Sequence, residues 1–251
     1  MLRQLAAELP RFLDYYVLVF LLQAMLSTLL LSVLGCGLGA FLGFWLVYLR
    51  RSGALWLLPL RVLAVAYVEL FRRIPFLVIL FIVMFATQAV GVQVSLFGIA
   101  VIGICIISTA FLSEIIRAGF DSVPRQQVEA AAVMNLTRWQ TIRHVVLPQA
   151  WKVILPPAVA YAVMFIKDTS LASQFGVVEL TFAGKVLNNR GFSATLVYGA
   201  VLLLYFVLSY PLSRLGGWLE KKLASPRGQR PEQRLRLAPG LAGREPYRRQ
   251  G

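Results

Sequence analysis

The sequence predicts an all-α, polytopic membrane protein with about five transmembrane helices. Three observations carry that expectation. Hydrophobic residues make up 59% of the 251 positions, above the roughly one half that a soluble domain carries. The excess lies in long blocks that contain no Asp, Glu, Lys, Arg or His: Tyr15 to Leu49, Ile74 to Ser113 and Gly191 to Ser213. A helix needs about 20 apolar residues to cross the hydrocarbon core, so each block can cross, and the second can cross twice. The basic residues, finally, fall between the blocks with a strong bias to one side.

The elements follow in order. Span 1 lies within Tyr16 to Leu49. It exceeds the 7–15 apolar residues of a signal-peptide core and lacks a clear cleavage site, so it is expected to stay in the protein. Gly35, Gly39 and Gly43 repeat every fourth residue, the spacing that lets a second helix backbone approach closely. Ala54 to Phe71 is interrupted by Pro59, Arg61 and Glu69 and reads as an interfacial helix leading into span 2, about Ile74 to Val90. Span 3 runs from about Leu96 to Ile116, span 4 lies between about Val153 and Phe175, and span 5 covers Thr195 to Leu215. The region 1–223 is expected to form the membrane domain. The segment 224–251, rich in Pro, Gly, Gln and Arg, is expected to be a disordered basic tail able to rest on anionic membrane lipid.

Orientation follows from the charges. Lys plus Arg number 25 against 11 acidic residues. Arg50, Arg51, Arg61, Arg72 and Arg73 fall on one side of five spans, as do Arg117, Arg125, Arg138, Arg143, Lys152, Lys221 and Lys222. The positive-inside rule then puts the N-terminus outside and the C-terminus in the cytoplasm. The same clustering explains the basic balance without nucleic acid as a partner. Cys36 and Cys105 lie inside apolar blocks and read as packing residues, not as a disulfide or metal site.

Between spans 3 and 4 lies a long polar loop, about 120–150. Pro124 suits a first helical turn, Asn135 tolerates the left-handed conformation that ends a helix, and Thr137 with Gln140 forms a capping box that restarts one. Leu147 and Pro148 are expected to close the second helix. A short helix held off the membrane suits docking into a groove of a soluble partner.

Within this loop Glu129, Ala130, Ala131, Asn135, Val145, Leu147 and Pro148 resemble the E-A-A-x-x-x-G-x9-I-x-L-P loop of binding-protein-dependent ABC import permeases. Asn135 replaces the family's Gly and Val145 its Ile. The stretches YVELFRRIPFLVILF, STAFLSEIIRAGFDSVP, RWQTIRHVVLPQA and FIKDTSLAS resemble motifs of the polar-amino-acid branch, although Arg73 and Ile74 stand where the family has Gly and Thr. The resemblance implies a type I importer permease in a bacterial cytoplasmic membrane. It would pair with a second copy or paralogue and dock ABC ATPase subunits through Glu129, Ala130, Ala131, Asn135, Leu147 and Pro148. An external amino-acid-binding protein would deliver the substrate. No G-x-x-x-x-G-K-[ST] loop occurs in the sequence. The chain is therefore expected to bind no cofactor and to perform no catalysis, with ATP and magnesium held by the partner ATPase.

Charges inside a span are costly, at roughly 2.5–3.5 kcal/mol each on insertion scales, and are candidates for function. Lys167 and Asp168 in span 4 serve either in the translocation pathway or gate, or as a structural pair. Thr169 and Ser170 can offer hydrogen bonds to a substrate or to their own backbone. Glu114 shares a helix face with Arg117 and is either a substrate contact or that arginine's partner. A secondary transporter or channel would explain the spans but not the loop. A membrane enzyme has little to work with, because His144 is the sole histidine and no paired metal ligands occur.

Overall fold

The computed structural model describes residues 2–223; the expected tail, 224–251, lies outside the described residues. It is helical throughout: α1 (Leu2–Phe12), α2 (Tyr15–Arg50), α3 (Leu58–Phe71), α4 (Phe76–Ala89), α5 (Leu96–Asp121), α6 (Arg125–Val133), α7 (Arg138–Thr141), α8 (Leu147–Asp168), α9 (Leu180–Asn189) and α10 (Ala194–Leu223). A 3-10 turn, Leu55–Leu57, precedes α3. A π segment, Ile142–Val146, joins α7 to α8, and a 3-10 segment, Thr169–Phe175, follows α8.

Four helical stretches are long and apolar enough to cross a membrane: α2, α5, Arg138–Phe175 and α10. The fifth crossing is a bent pair. Leu55–Phe71 and Phe76–Ala89 meet at 118°. Here the expected span 2 needs correction. The fourteen residues of α4 measure about 21 Å at 1.5 Å per residue, short of a core about 30 Å thick. A bend of 118° turns α3 back from the axis of α4, so α3 adds little to the reach of α4 across the core. Pro75 sets the bend, since it cannot donate to a helix running through it.

The central element is α5, the most enclosed of the spans. Ser95 caps it by accepting from the Gly98 amide at 3.1 Å. Its small residues receive α2. A Cβ placed on Gly39 would lie 2.4 Å from Ser108 Cβ and 3.0 Å from the Thr109 nitrogen, and one on Gly35 would lie 2.3 Å from Ile104 Cγ2. The repeat read from sequence is thus the α2–α5 crossing itself. On the opposite side Phe76, Ile79, Leu80 and Val83 of α4 join Ile104 and Ile107 of α5 and Phe165 of α8 in the largest core cluster. The α3 helix lies along α5, where the Tyr67 hydroxyl donates to the Ile106 carbonyl at 2.6 Å.

The amino-terminal end is strapped down. Phe12 of α1 is buried against Phe192 in an edge-on pair. The Ser193 amide donates to Glu8 at 2.8 Å and holds that carboxyl below its ordinary range. Neither α1 nor α9 was expected from hydropathy.

The loop after α5 matches its local reading closely. Asn135 adopts φ 54, the left-handed conformation that a non-glycine residue seldom takes. Around it the Asn135 amide donates to Ala132 and the Leu136 amide to Ala131, the double bond of a Schellman ending. The Thr137–Gln140 capping box forms in both directions. Leu147 and Pro148, however, do not close the second helix. The chain runs on from α7 through the π segment into α8. Pro148 has no amide hydrogen, and its ring would clash with the carbonyl four residues back. The wider π turn immediately before it relieves that clash without ending the helix.

Candidate functional site

The first candidate region is the helix–turn–helix. Ala131 is 2% exposed; only a small side chain lets α6 lie against the π segment. Gln149 reinforces that contact, bonding both to Gln127 and to the Val145 carbonyl. On the opposite side of α6 the tip is bare, with Val133 83% and Met134 73% exposed. Glu129 lines a cleft between α6, α7 and the end of α5, together with Arg51, Arg125 and Arg138. It makes no ion pair among the described residues. Of the residues expected to dock a partner, Ala130 and Asn135 are exposed. Leu147 and Pro148 belong instead to the continuous helix behind α7.

The second region is an ionic cluster at the ends of α2 and α5. Glu114 accepts from Arg50 at 2.6 Å and from Arg117 at 2.9 Å, with Arg72 at 4.0 Å. The Glu114–Arg117 pair expected from sequence is present, but Arg50 and Arg72 come from α2 and the α3–α4 bend. Asp121 continues the chain of charges, bonded to Arg117 at 2.7 Å and to Arg51 at 3.0 Å. The Arg72 guanidinium also lies 5.5 Å over the Phe111 ring. Four residues beyond Asp121 the chain enters α6, so this cluster ties α6 to the span ends.

The third region holds Lys167 and Asp168. They form the last turn of α8, about 23 Å along the helix from Lys152 at 1.5 Å per residue, in the half of the bilayer away from α6. Adjacent residues project about 100° apart, and the two side chains separate accordingly. Lys167 lines a groove of about 270 Å³ with Tyr205, Ser209 and Tyr210 of α10. Asp168 lies toward Cys36 and Tyr161. Neither makes an ion pair among the described residues. Lys167 is well placed against the negative end of the helix dipole, whereas Asp168 is placed against it. Thr169 is fully buried and donates to the Ile166 carbonyl at 2.7 Å, so its hydroxyl serves the backbone. Ser170 stays partly exposed in the 3-10 segment that follows.

Sequence reasoning missed Glu179. It is completely buried and caps α9, accepting from the Thr181 and Phe182 amides at 2.9 and 2.7 Å. The Tyr205 hydroxyl donates to it at 2.6 Å, and Thr28 of α2 accepts from the neighbouring Leu180 amide at 3.2 Å. These bonds hold the short α9 against α2 and α10. Glutamate is not among the residues that usually mark a helix start, so the sequence around it carried no local signal for α9.

A multi-span helical bundle with a proline-bent span pair and a helix–turn–helix held at the span ends defines a membrane transport subunit. Residues 39–225 match the family of binding-protein-dependent transport system inner membrane components. Curated relatives agree. The chain is 34% identical over 197 residues (78% of this chain, 86% of the relative) to the probable amino-acid ABC transporter permease protein YckA of Bacillus subtilis (strain 168). It is 32% identical over 205 residues (81% and 92%) to the glutamine transport system permease protein GlnP of Escherichia coli (strain K12). Among solved structures, an amino acid ABC transporter with histidines superposes with a TM-score of 0.73 at 27% identity, covering 84% of this chain and 99% of that one. The inward-facing methionine ABC transporter MetNI shares the fold, with a TM-score of 0.71 at 22% identity. The chain belongs to the binding-protein-dependent transport system inner membrane component family.

Proposed function

We propose that this chain is the permease subunit of an ATP-driven importer of polar amino acids in a bacterial cytoplasmic membrane. It pairs with a second permease, identical or paralogous, and takes its ATP hydrolysis from docked ATPase subunits that hold the ATP and magnesium. An external binding protein delivers the amino acid. The observation that carries this reading is α6. It is a short helix begun at Pro124 and closed at Asn135, held at the span ends by buried Ala131, with an apolar tip bare to solvent. The amino-acid permeases among its relatives support the substrate class.

In this reading the N-terminus is outside and α6 lies in the cytoplasm. A cysteine placed at Gln126 is expected to resist an impermeant maleimide added to intact cells and to react after lysis. Reaction in intact cells would reverse the orientation.

Glu129, Ala130, Ala131 and Asn135 make or shape the ATPase contact, and Leu147 and Pro148 carry it into α8. Lys167 and Asp168 serve the translocation pathway or its gate, with Thr169 and Ser170 forming the turn that follows them. Glu114, engaged by arginines, links that pathway to the docking helix. The chain purified from its own membranes should bring down an ATPase, and the reconstituted complex should take up amino acid in proteoliposomes. Asp168→Asn keeps the shape and removes the charge. It should cut uptake about tenfold, as loss of one charge-assisted hydrogen bond does, while affinity of the binding protein for its amino acid stays unchanged. Absence of any ATPase in the purified complex would favour a secondary transporter. Wild-type uptake in both Asp168→Asn and Lys167→Met would remove the pair from the pathway.

A further inference from the structure

Of the residues assigned to the ATPase contact, the cleft behind α6 includes Glu129 alone. It encloses about 810 Å³, and its walls have two characters. The floor is apolar, formed by Phe120, Val123, Val128, Leu136, Ile142 and Val146. The rim carries three guanidiniums, Arg51, Arg125 and Arg138, against two carboxylates, Asp121 and Glu129. Asp121 is already committed, bonded to both Arg51 and Arg117. Among the described residues Arg138 has no carboxylate partner. It donates to the Tyr48 carbonyl at 2.8 Å and lies 4.9 Å over the Tyr48 ring. Its charge is therefore held in place and left unneutralised.

The level of the cleft is fixed by its neighbours. Both α2 and α5 end at it, at Arg50 and Asp121, so it lies where spans leave the hydrocarbon. An aromatic cluster stands at the same level. The Trp45 and Trp139 rings stack 6.0 Å apart, and Trp139 meets Phe44 and Tyr48 edge-on. Indole and phenol rings gather at the headgroup layer because one end is apolar and the other wet. The faces of α6 also divide. Arg125, Val128, Glu129 and Ala132 line the cleft, and Ala130, Val133 and Met134, exposed like them, do not. A partner gripping the bare tip leaves the cleft open from the side of the spans.

We propose that this cleft binds an anionic phospholipid, its phosphate on Arg51 and Arg138 and its glycerol and upper acyl carbons on the apolar floor. The charges favour an anionic headgroup. Around the span ends and the cleft, among the described residues, seven guanidiniums, Arg50, Arg51, Arg72, Arg73, Arg117, Arg125 and Arg138, face four carboxylates, Glu69, Glu114, Asp121 and Glu129. Planar guanidiniums meet phosphate oxygens in pairs, and basic pockets between helices at a cytoplasmic surface take acidic lipid headgroups. Bound there, the lipid braces α6 against α5 and α7, so the docking helix is held by the membrane as well as by the protein.

The test uses the full-length chain in nanodiscs of phosphatidylcholine doped with phosphatidylglycerol, read by native mass spectrometry after release into detergent. Retained phosphatidylglycerol should exceed retained phosphatidylcholine. Arg138→Gln and Arg51→Gln should each lower that retention about tenfold, the size of one lost charge-assisted bond, while Arg214→Gln, an exposed arginine on α10, should not. Val128→Trp leaves every charge in place and fills the floor. It should also expel the lipid, which keeps the test valid if an arginine variant folds poorly. Equal retention in wild type and Arg138→Gln overturns the proposal, as does indifference between the two lipids. Phosphatidylglycerol that displaces a co-purified ATPase also overturns it, because the cleft would then belong to that partner. None of these readouts depends on transport, so the lipid site and the importer reading fail separately.

Discussion

Gly39→Leu is expected to prevent the bundle from assembling, while Gly37→Leu two residues away leaves it intact. A Cβ on Gly39 would already lie 2.4 Å from Ser108 Cβ and 3.0 Å from backbone atoms of Ser108 and Thr109. Backbone cannot rotate out of the way as a side-chain end can, so α2 and α5 would have to separate. Separation also opens the core clusters on either side, since Leu31 and Cys36 share one with α5 and Val47 shares another. Overpacking a tight core costs about 1–3 kcal/mol, and a backbone contact at a helix crossing belongs at the upper end. A Cβ on Gly37 meets nothing within 4 Å. Fluorescence-detected size exclusion and melting of the detergent-solubilised protein should show Gly39→Leu aggregated and Gly37→Leu like wild type. Identical profiles for the two would mean that the crossing is not built on Gly39.

Glu114→Gln is expected to destabilise the protein by about 2–3 kcal/mol, the range for hydrogen bonds to a charged group, and more than removal of any one of its arginines. The Glu114 side chain is 16% exposed and Arg50 18%, whereas Arg72 and Arg117 stand at 40% and 42%. Glutamine keeps the shape but removes the charge that faces Arg50 and Arg72, while Arg117 keeps Asp121 at 2.7 Å. Arg50→Met removes one cation and leaves Glu114 with Arg117 at 2.9 Å, so it should cost less. Arg72→Met, at 4.0 Å and well exposed, should cost least, within the 0–1 kcal/mol of a surface pair. Thermal melts of the three variants give the ranking, and a double-mutant cycle of Arg50 with Glu114 gives the coupling directly. A ranking with Arg72→Met at the top, or zero coupling in the cycle, would remove Glu114 as the hub.

What was legible in the sequence was what local rules govern. The uncharged blocks gave α2, α5 and α10, because a bilayer fixes both length and polarity. The Schellman ending at Asn135 and the Thr137–Gln140 box depend on residues within one turn, and both were readable in advance. The Gly35, Gly39 and Gly43 register announced a close crossing but not its partner, since nothing in α2 alone points to Ser108. Glu179 stayed hidden because its meaning is tertiary: its hydroxyl partner Tyr205 lies 26 residues away. Leu147 and Pro148 misled for a different reason. Proline usually ends a helix, and only the π turn before it allows the backbone to continue. Among the candidate pathway residues, the divergence of Lys167 and Asp168 followed from helical geometry, whereas the arginines around Glu114 required three elements to converge.

That π turn has a mechanical consequence. From Arg138 to Phe175 the backbone is one unbroken helical rod of 38 residues, about 57 Å at the α-helical rise. One end lies beside α6 and the other just past Lys167 and Asp168. A rod transmits displacement along its axis with little loss unless it has a joint, and Ile142–Val146 is a joint: a turn wound wider than its neighbours. Load applied at α7 can be absorbed there as a change of pitch or passed on as rotation of everything beyond it. The stiffness of these five residues therefore sets the gearing between the end beside α6 and the opposite half of the bundle.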